Sequence, residues 1–265
     1  MNKISTLLCA AAAVAAISAP AAAADMRMPV KAPPPVVAVF NWTGFYIGGF
    51  VGGAVADGDA ESTEPANGLV FFNGTGLNNS YSLDSSFIGG GTVGYNWQPV
   101  GSQWVFGIEG EVGYIHLNKS VLDINAPIGS ANGFDQTTIG DWYAVIAGRL
   151  GYAFDRVLVY GKGGVAFVEK DYNYSDACVI APCGPATLAL SNSDTQITWA
   201  AGAGIEWAFA ANWSLKGEYL YLATRETTTQ SAIAGGTGAA AGLVWANSHR
   251  DPGVHTGKVG INYRF

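Results

Sequence analysis

Charge is scarce in this 265-residue sequence: Asp, Glu, Lys and Arg make up 12% of it, about half of the ~25% found in a soluble domain. With 12% aromatics, 36 glycines and a mean hydropathy of +0.20, much of its surface must face something other than water. Long apolar runs are also missing. Beyond the first 24 positions no stretch is long and apolar enough for a membrane helix, which needs about 20 such residues. A closed β-barrel is the other way to meet lipid with every backbone group paired. Basic residues number 13 against 20 acids, a net charge of -7, so no nucleic-acid partner is expected. Histidine and cysteine are equally sparse, at three each. Zinc needs four ligands, and no histidine lies within 50 residues of Cys178 or Cys183; no metal or other cofactor is expected.

What is present begins with an export signal. Lys3 precedes an apolar run from Ile4 to Ile17, which ends in APAAAAD with small residues at Ala22 and Ala24. Residues 1–24 read as a signal peptide cleaved before Asp25, and their loss removes one lysine and no acid, taking the charge from -7 to -8. Export to an oxidising compartment makes Cys178 and Cys183, in CVIAPC, an expected disulfide. Residues 25–42 are a proline-rich periplasmic leader, read as a spacer, and 43–265 form the barrel.

Eight segments alternate large apolar residues with small or polar ones at period two, the signature of strands with two unlike faces. They lie at about 44–55, 85–97, 103–117, 139–154, 157–170, 194–208, 213–225 and 254–265, with the usual few-residue error. Tight turns at 98–102, 155–156 and 210–212 alternate with long polar connections at 56–84, 118–138, 171–193 and 226–253. The pattern predicts an all-β fold, an eight-stranded antiparallel up-and-down transmembrane barrel with short periplasmic turns and four long extracellular loops. Segment 226–253 could be an additional hairpin or a flexible loop.

Volume decides which face meets lipid. One register carries most of the aromatics, too many for the lumen of an eight-stranded barrel. Those aromatics also form two bands: Trp97, Trp104, Phe154, Trp207, Trp213, Tyr263 and Phe265 at the short-turn ends, and Phe87, Tyr114, Trp142, Phe167, Trp199 and Tyr221 at the long-loop ends. Such girdles mark the two membrane interfaces. The opposite register holds Glu109, Glu111, Arg149, Lys162, Lys170, Glu206, Lys216, Glu218, Lys258 and Arg264, predicted to fill the lumen as a charge network. The turns place Glu206 opposite Lys216, a favourable cross-strand pair. Arg149 falls opposite Lys162, which requires a carboxylate between them from Glu109, Glu111 or Glu218. A repeated large-small-large theme, as in Val93-Gly94-Tyr95 and Val259-Gly260-Ile261, puts glycine beside these long side chains.

Two motifs invite other chemistry. FIGGGTVGYNW at 87–97 contains the G-x-G-x-x-G of nucleotide sites at Gly89, Gly91 and Gly94, but no helix follows to receive a pyrophosphate. On a strand those glycines do not share a face. Ser248 stands beside His249, yet neighbouring side chains of an extended segment point apart, so no catalytic pair is expected.

NWTGFYIGG at 41–49, the repeated V-G-Y strands and KVGINYRF at 258–265 resemble the small eight-stranded outer-membrane proteins called porin-family or outer-membrane immunogenic proteins of alphaproteobacteria. The resemblance implies an outer-membrane location in a Gram-negative bacterium and contact with membrane lipid and lipopolysaccharide. Lys258, Gly260, Tyr263 and Phe265 match the signal such proteins present to the outer-membrane assembly machinery. It also implies a non-enzymatic role in envelope integrity and surface interaction with host or cell-surface ligands through the loops. Pore formation and haem or hydrophobic-ligand binding are alternatives within the family, and a lipid-modifying enzyme is a further one.

Overall fold

The computed structural model describes residues 40–63, 78–122, 131–178, 185–238 and 241–265. The expected signal peptide, most of the leader, Cys183 and the side chain of Cys178 lie outside the described residues, and so does the expected disulfide. In chain order the described strands are β1 (Gly44–Asp57), β2 (Asp59–Thr63), β3 (Asn78–Ser82), β4 (Ser86–Trp97), β5 (Trp104–Tyr114), β6 (His116–Leu122), β7 (Ala131–Phe154), β8 (Val157–Cys178), β9 (Ala186–Trp207), β10 (Trp213–Leu222), β11 (Thr227–Ile233), β12 (Gly235–Gly236), β13 (Val244–Arg250) and β14 (Gly253–Arg264).

Eight of them close a ring in the order β1, β4, β5, β7, β8, β9, β10, β14, with every neighbour antiparallel and β14 returning to β1. Closure leaves the membrane-level strands without a free edge, the condition for an unhelical chain in lipid. Side chains alternate as the period-two pattern requires. Phe45 and Ile47 are 64% and 53% exposed, whereas Tyr46 between them is 3% exposed. Exposed rings touch one another around the short-turn rim, through Phe45–Tyr95, Trp97–Phe106, Trp104–Tyr152 and Trp213–Tyr263. Trp199–Tyr221 and the stacked Tyr114–His116 lie at the opposite rim.

Glycine serves the two faces differently. At Gly164, in the lumen register, a Cβ would press into the backbone of Ile146 and Ala147, whereas at Gly163, facing out, the nearest atom would be Ala200 O at 3.8 Å. Gly164→Val is therefore expected to lower stability by about 1–3 kcal/mol or block folding, while Gly163→Val keeps wild-type stability. The folded, fast-migrating band on unheated SDS gels reads both. The glycines of the nucleotide-like motif sit in the uninterrupted strand β4 and pair with β1 and β5, with no turn to receive a phosphate.

The long connections differ from the expected loops. Strand β8 continues to Cys178 and β9 begins at Ala186, 22 residues each, where about 9–11 suffice to cross the bilayer. Residues 131–138 likewise pair with β6 and β8. Segment 226–253 forms a hairpin in which β11 pairs with β13, and β13, β2 and β3 extend that sheet. These extensions have a small core of their own, built from Tyr172, Tyr174, Leu188, Leu190 and Ala234. Their Ser, Thr, Asn and Gly content imitates loop composition because both outer faces meet water. Strand 103–117 is also divided: the ladder breaks at Ile115, where Gly140 (φ 121°) and Asp141 (φ 35°) bulge β7 outward.

Candidate functional site

The lumen is a stack of layers. Its midsection holds the eight charges Glu109, Glu111, Glu206, Glu218, Arg149, Lys162, Lys216 and Lys258, all buried. Strands β5, β7, β8, β9, β10 and β14 supply them, each from the inward register. Lys162 Nζ lies 2.8 Å from Glu109, 2.9 Å from Glu111 and 2.7 Å from Glu218. Lys258 bonds Glu111 and lies 2.8 Å from Glu218, and Lys216 lies 3.4 Å from Glu109. Arg149 pairs with Glu206, lies 3.8 Å from Glu109, and stacks 3.6 Å above the Tyr160 ring.

Hydroxyls complete the shell. Tyr46 donates to Glu109, Tyr143 to Glu111 and Tyr160 to Glu218 at 2.6–2.8 Å, while Ser214 and Asn262 donate to Glu206. Four acids against four bases give a neutral layer, which is the condition for holding so many charges away from water. The carboxylates of Glu109, Glu111 and Glu218 lie close enough to hold a metal ion. The Lys162 ammonium occupies the place such a cation would take.

Three sequence expectations change here. Arg149 does face Lys162 across the ladder, and Lys216 faces Glu206. Lys216 nevertheless turns to Glu109, leaving Glu206 to Arg149, because the lumen lets long side chains reach across to strands that are not neighbours. Lys170 stands above the layer with Glu226 and Asp251, at 3.2 and 2.6 Å. Arg264 sits at the short-turn rim, over the Phe40 and Trp42 rings at 4.3 and 5.7 Å.

Trp42 was hidden in the leader. It is 2% exposed and packs against Val105, Ala153, Leu158, Tyr160 and Ala208. Its backbone N–H donates to Gln98 at 2.8 Å and its indole N–H to Asp155 O at 3.0 Å. The last leader residues thus close the short-turn mouth of the barrel. On the other side of the charge layer lies an apolar one, with Ile88, Ile115, Leu117, Ile139, Val168, Leu220 and Leu222 in contact. The lumen therefore carries far more apolar bulk than the expected glycines and charges.

Above that, a polar cluster gathers residues from both sheets. Asp135 accepts from Asn79 and Tyr172, at 2.8 and 2.9 Å. His249 stacks on Tyr172 with ring centres 4.0 Å apart. Its Nε2 is 3.1 Å from Thr137 Oγ1 and 3.0 Å from Asp251. Burial, reinforced by Asp135, pushes the Tyr172 phenol up from its ordinary value and keeps it a neutral donor. Ser248 points to the other face and bonds Thr229.

Burial alone would raise the Asp251 carboxyl, but His249 and Lys170 overcome it and hold the group below 3.8. A depressed carboxyl contributes stability in full above its unfolded value, and loses it as pH falls through the folded one. Proteolytic nicking between β11 and β13 is accordingly expected to increase only in strong acid. Asp251→Asn should show raised nicking already at neutral pH and a flatter profile.

Residues 9–265 match the family model of the outer membrane protein β-barrel domain. The 31 kDa outer-membrane immunogenic protein of Brucella melitensis is 31% identical over 273 residues, covering 98% of this chain and 99% of that protein. A 22 kDa outer membrane protein of Rhizobium leguminosarum is 28% identical over 71% of this chain and 66% of its own length. Among solved structures, OprG of Pseudomonas aeruginosa aligns over 85% of this chain and 99% of its own, with 14% identity and a TM-score of 0.49.

Proposed function

We infer the role of this chain from one premise: it belongs to the outer membrane protein β-barrel domain family. It is a protein of the Gram-negative outer membrane. We propose that it is a non-enzymatic barrel with a closed lumen, contributing to envelope integrity and presenting its long hairpins to the outside. The observation that carries this reading is the neutral, hydrogen-bonded charge layer across the lumen, capped on one side by Trp42 and on the other by an apolar layer.

A non-enzymatic reading is supported by the His249 geometry. A catalytic base takes the nucleophile on one ring nitrogen and its orienting carboxylate on the other. Here Thr137 and Asp251 share Nε2, and Thr137 is 1% exposed. The expected partners are membrane lipid, lipopolysaccharide and surface ligands reached through the hairpins. For assembly, Tyr263 and Phe265 lie at the short-turn rim, consistent with a recognition signal, whereas Lys258 and Gly260 are used inside the folded lumen.

Liposome swelling tests the closed lumen. Vesicles carrying the refolded barrel are expected to swell in small sugars no faster than protein-free vesicles. Rapid swelling would assign a small-solute porin instead.

A further inference from the structure

The ladder between β9 and β10 contains an opening. Pairing runs from Leu215↔Trp207 to Leu222↔Ala200, and Ala223 N–H adds a last bond to Trp199 O at 3.0 Å. It resumes where β12 meets β9, at Gly235↔Thr187 and Gly236↔Ala186. From Leu222 to Gly235 is thirteen residues, and from Thr187 to Ala200 is also thirteen. The two edges therefore separate and rejoin in one register, with no residue inserted in either to force them apart. Between the two ends β11 is laddered to β13 and not to β9.

Both edges turn backbone groups into the opening. Successive residues of a strand point their N–H and C=O to opposite sides, so the bonds at each end fix the direction along the whole length. Ala223 bonds Trp199 at one end, and Thr237 N–H bonds Pro185 O at 2.9 Å at the other, which puts the odd-numbered residues of both strands toward the gap. Even-numbered residues of the hairpin face the other way: Asp251 N–H bonds Glu226 O and Ala234 N–H bonds Leu243 O, each at 2.9 Å. Ser191 and Ser193 on β9 thus stand opposite Ser231 and Thr229 on β11, two matching rows of donors and acceptors. Open strand edges of this kind are templates for pairing.

The side chains match as well. Carrying the register through the gap sets Gln230 against Asn192 and Thr228 against Asp194. These four residues line a cleft of about 160 Å³ together with Tyr172 and His249. An amide meets an amide and a hydroxyl donor meets a carboxylate, with no like charges opposed. One pair further along, Ala232 falls against Leu190, and Ala232 already packs on the apolar cluster that contains Leu190. In the open position Asp194 is turned onto its own strand, accepting from Thr195 N–H at 2.8 Å.

We propose that the β11–β13 hairpin is a clasp that closes onto β9 in this register, making the odd-numbered backbone bonds and shutting the cleft above the membrane. Closing passes Thr195 N–H from Asp194 to Thr227 O and frees the Asp194 carboxylate for the Thr228 hydroxyl, so hydrogen bonds are exchanged rather than lost. Closed, β9, β11, β13, β2 and β3 form one continuous sheet. Open, Tyr172 and His249 border a cleft reached from the side.

Disulfide trapping tests this, in a background carrying Cys178→Ser and Cys183→Ser so that only introduced thiols can pair. Asn192→Cys with Gln230→Cys places two thiols at a non-hydrogen-bonded facing pair, about 4.5 Å between Cα atoms when closed and within disulfide reach. Asn192→Cys with Thr228→Cys is the offset control, about 7–8 Å apart on the diagonal. Asp194→Cys with Thr228→Cys is a second in-register pair, used if the first does not give the folded band on unheated SDS gels. Mild oxidation of the refolded barrel is expected to link the in-register pair at least about tenfold faster than the offset one, since Cα atoms more than about 7 Å apart cannot be bridged without backbone movement. Amide hydrogen exchange at Ser191, Ser193, Thr229 and Ser231 should then slow about tenfold or more in the oxidised form and recover with reductant, as for a ladder formed and released. The proposal fails if the in-register pair forms no disulfide, if the offset pair forms one as fast, or if exchange at the four amides is the same in both redox forms.

Discussion

Lys162→Met is expected to destabilise the barrel by about 3–5 kcal/mol, the range for removing one partner of a buried ion cluster. Lys162 is the ammonium shared by Glu109, Glu111 and Glu218, all within 2.9 Å. Without it, four carboxylates face the three bases Arg149, Lys216 and Lys258. Lys216 and Lys258 cannot take its place without leaving Glu109 or Glu111, and Arg149 is committed to Glu206. The measurement is urea unfolding in lipid vesicles followed by tryptophan fluorescence. Adding Glu218→Gln to Lys162→Met removes one negative charge, makes the layer neutral again, and should recover part of the loss. A double-mutant cycle then gives the coupling directly. Wild-type unfolding by Lys162→Met would mean that water reaches the carboxylates and that the layer is no seal.

Most of this layer could be read from the sequence. Alternation at period two is strict in strands that separate lipid from a confined lumen, and a charge in the inward register has nowhere else to go. Glu109, Glu111, Arg149 and Lys162 were placed by counting along strands and across tight turns. Which charges touch was less legible. Cross-strand neighbours can be counted, but Lys216 bypasses Glu206 for Glu109, and contacts across a lumen depend on curvature that no local pattern encodes. Lys170 keeps the inward register yet lies above the membrane, because β8 runs on far past its outer girdle.

The long hairpins were illegible for a related reason. A strand wetted on its outer face and lined by small residues has a loop's composition. Its pattern survives only in scattered inward residues such as Tyr172, Tyr174, Leu188 and Leu190. The side opening and the His249 environment depend on those hairpins, so the sequence showed His249 as a bland histidine beside a serine.

Trp42 was missed because a single buried residue beside a proline-rich segment has no period. Its removal gives a second large effect, and one that separates stability from permeability. Trp42→Ala is expected to cost about 3–5 kcal/mol, as for other buried Trp to Ala changes, since its contacts with Val105, Leu158 and Tyr160 and its indole bond to Asp155 O are all lost. Conductance should behave differently. Barriers in series are governed by the tightest, and above Trp42 the lumen is still crossed by Arg149 paired with Glu206 and by Lys162 among its glutamates. In planar bilayers Trp42→Ala should therefore show no steady channel, even as its folded band on SDS gels melts at a lower temperature than that of the wild type. A large steady conductance from this one change would show that Trp42 alone had closed the lumen. The charge layer would then be a wetted lining, and a gated small-solute pore would replace the closed barrel as the reading of this protein.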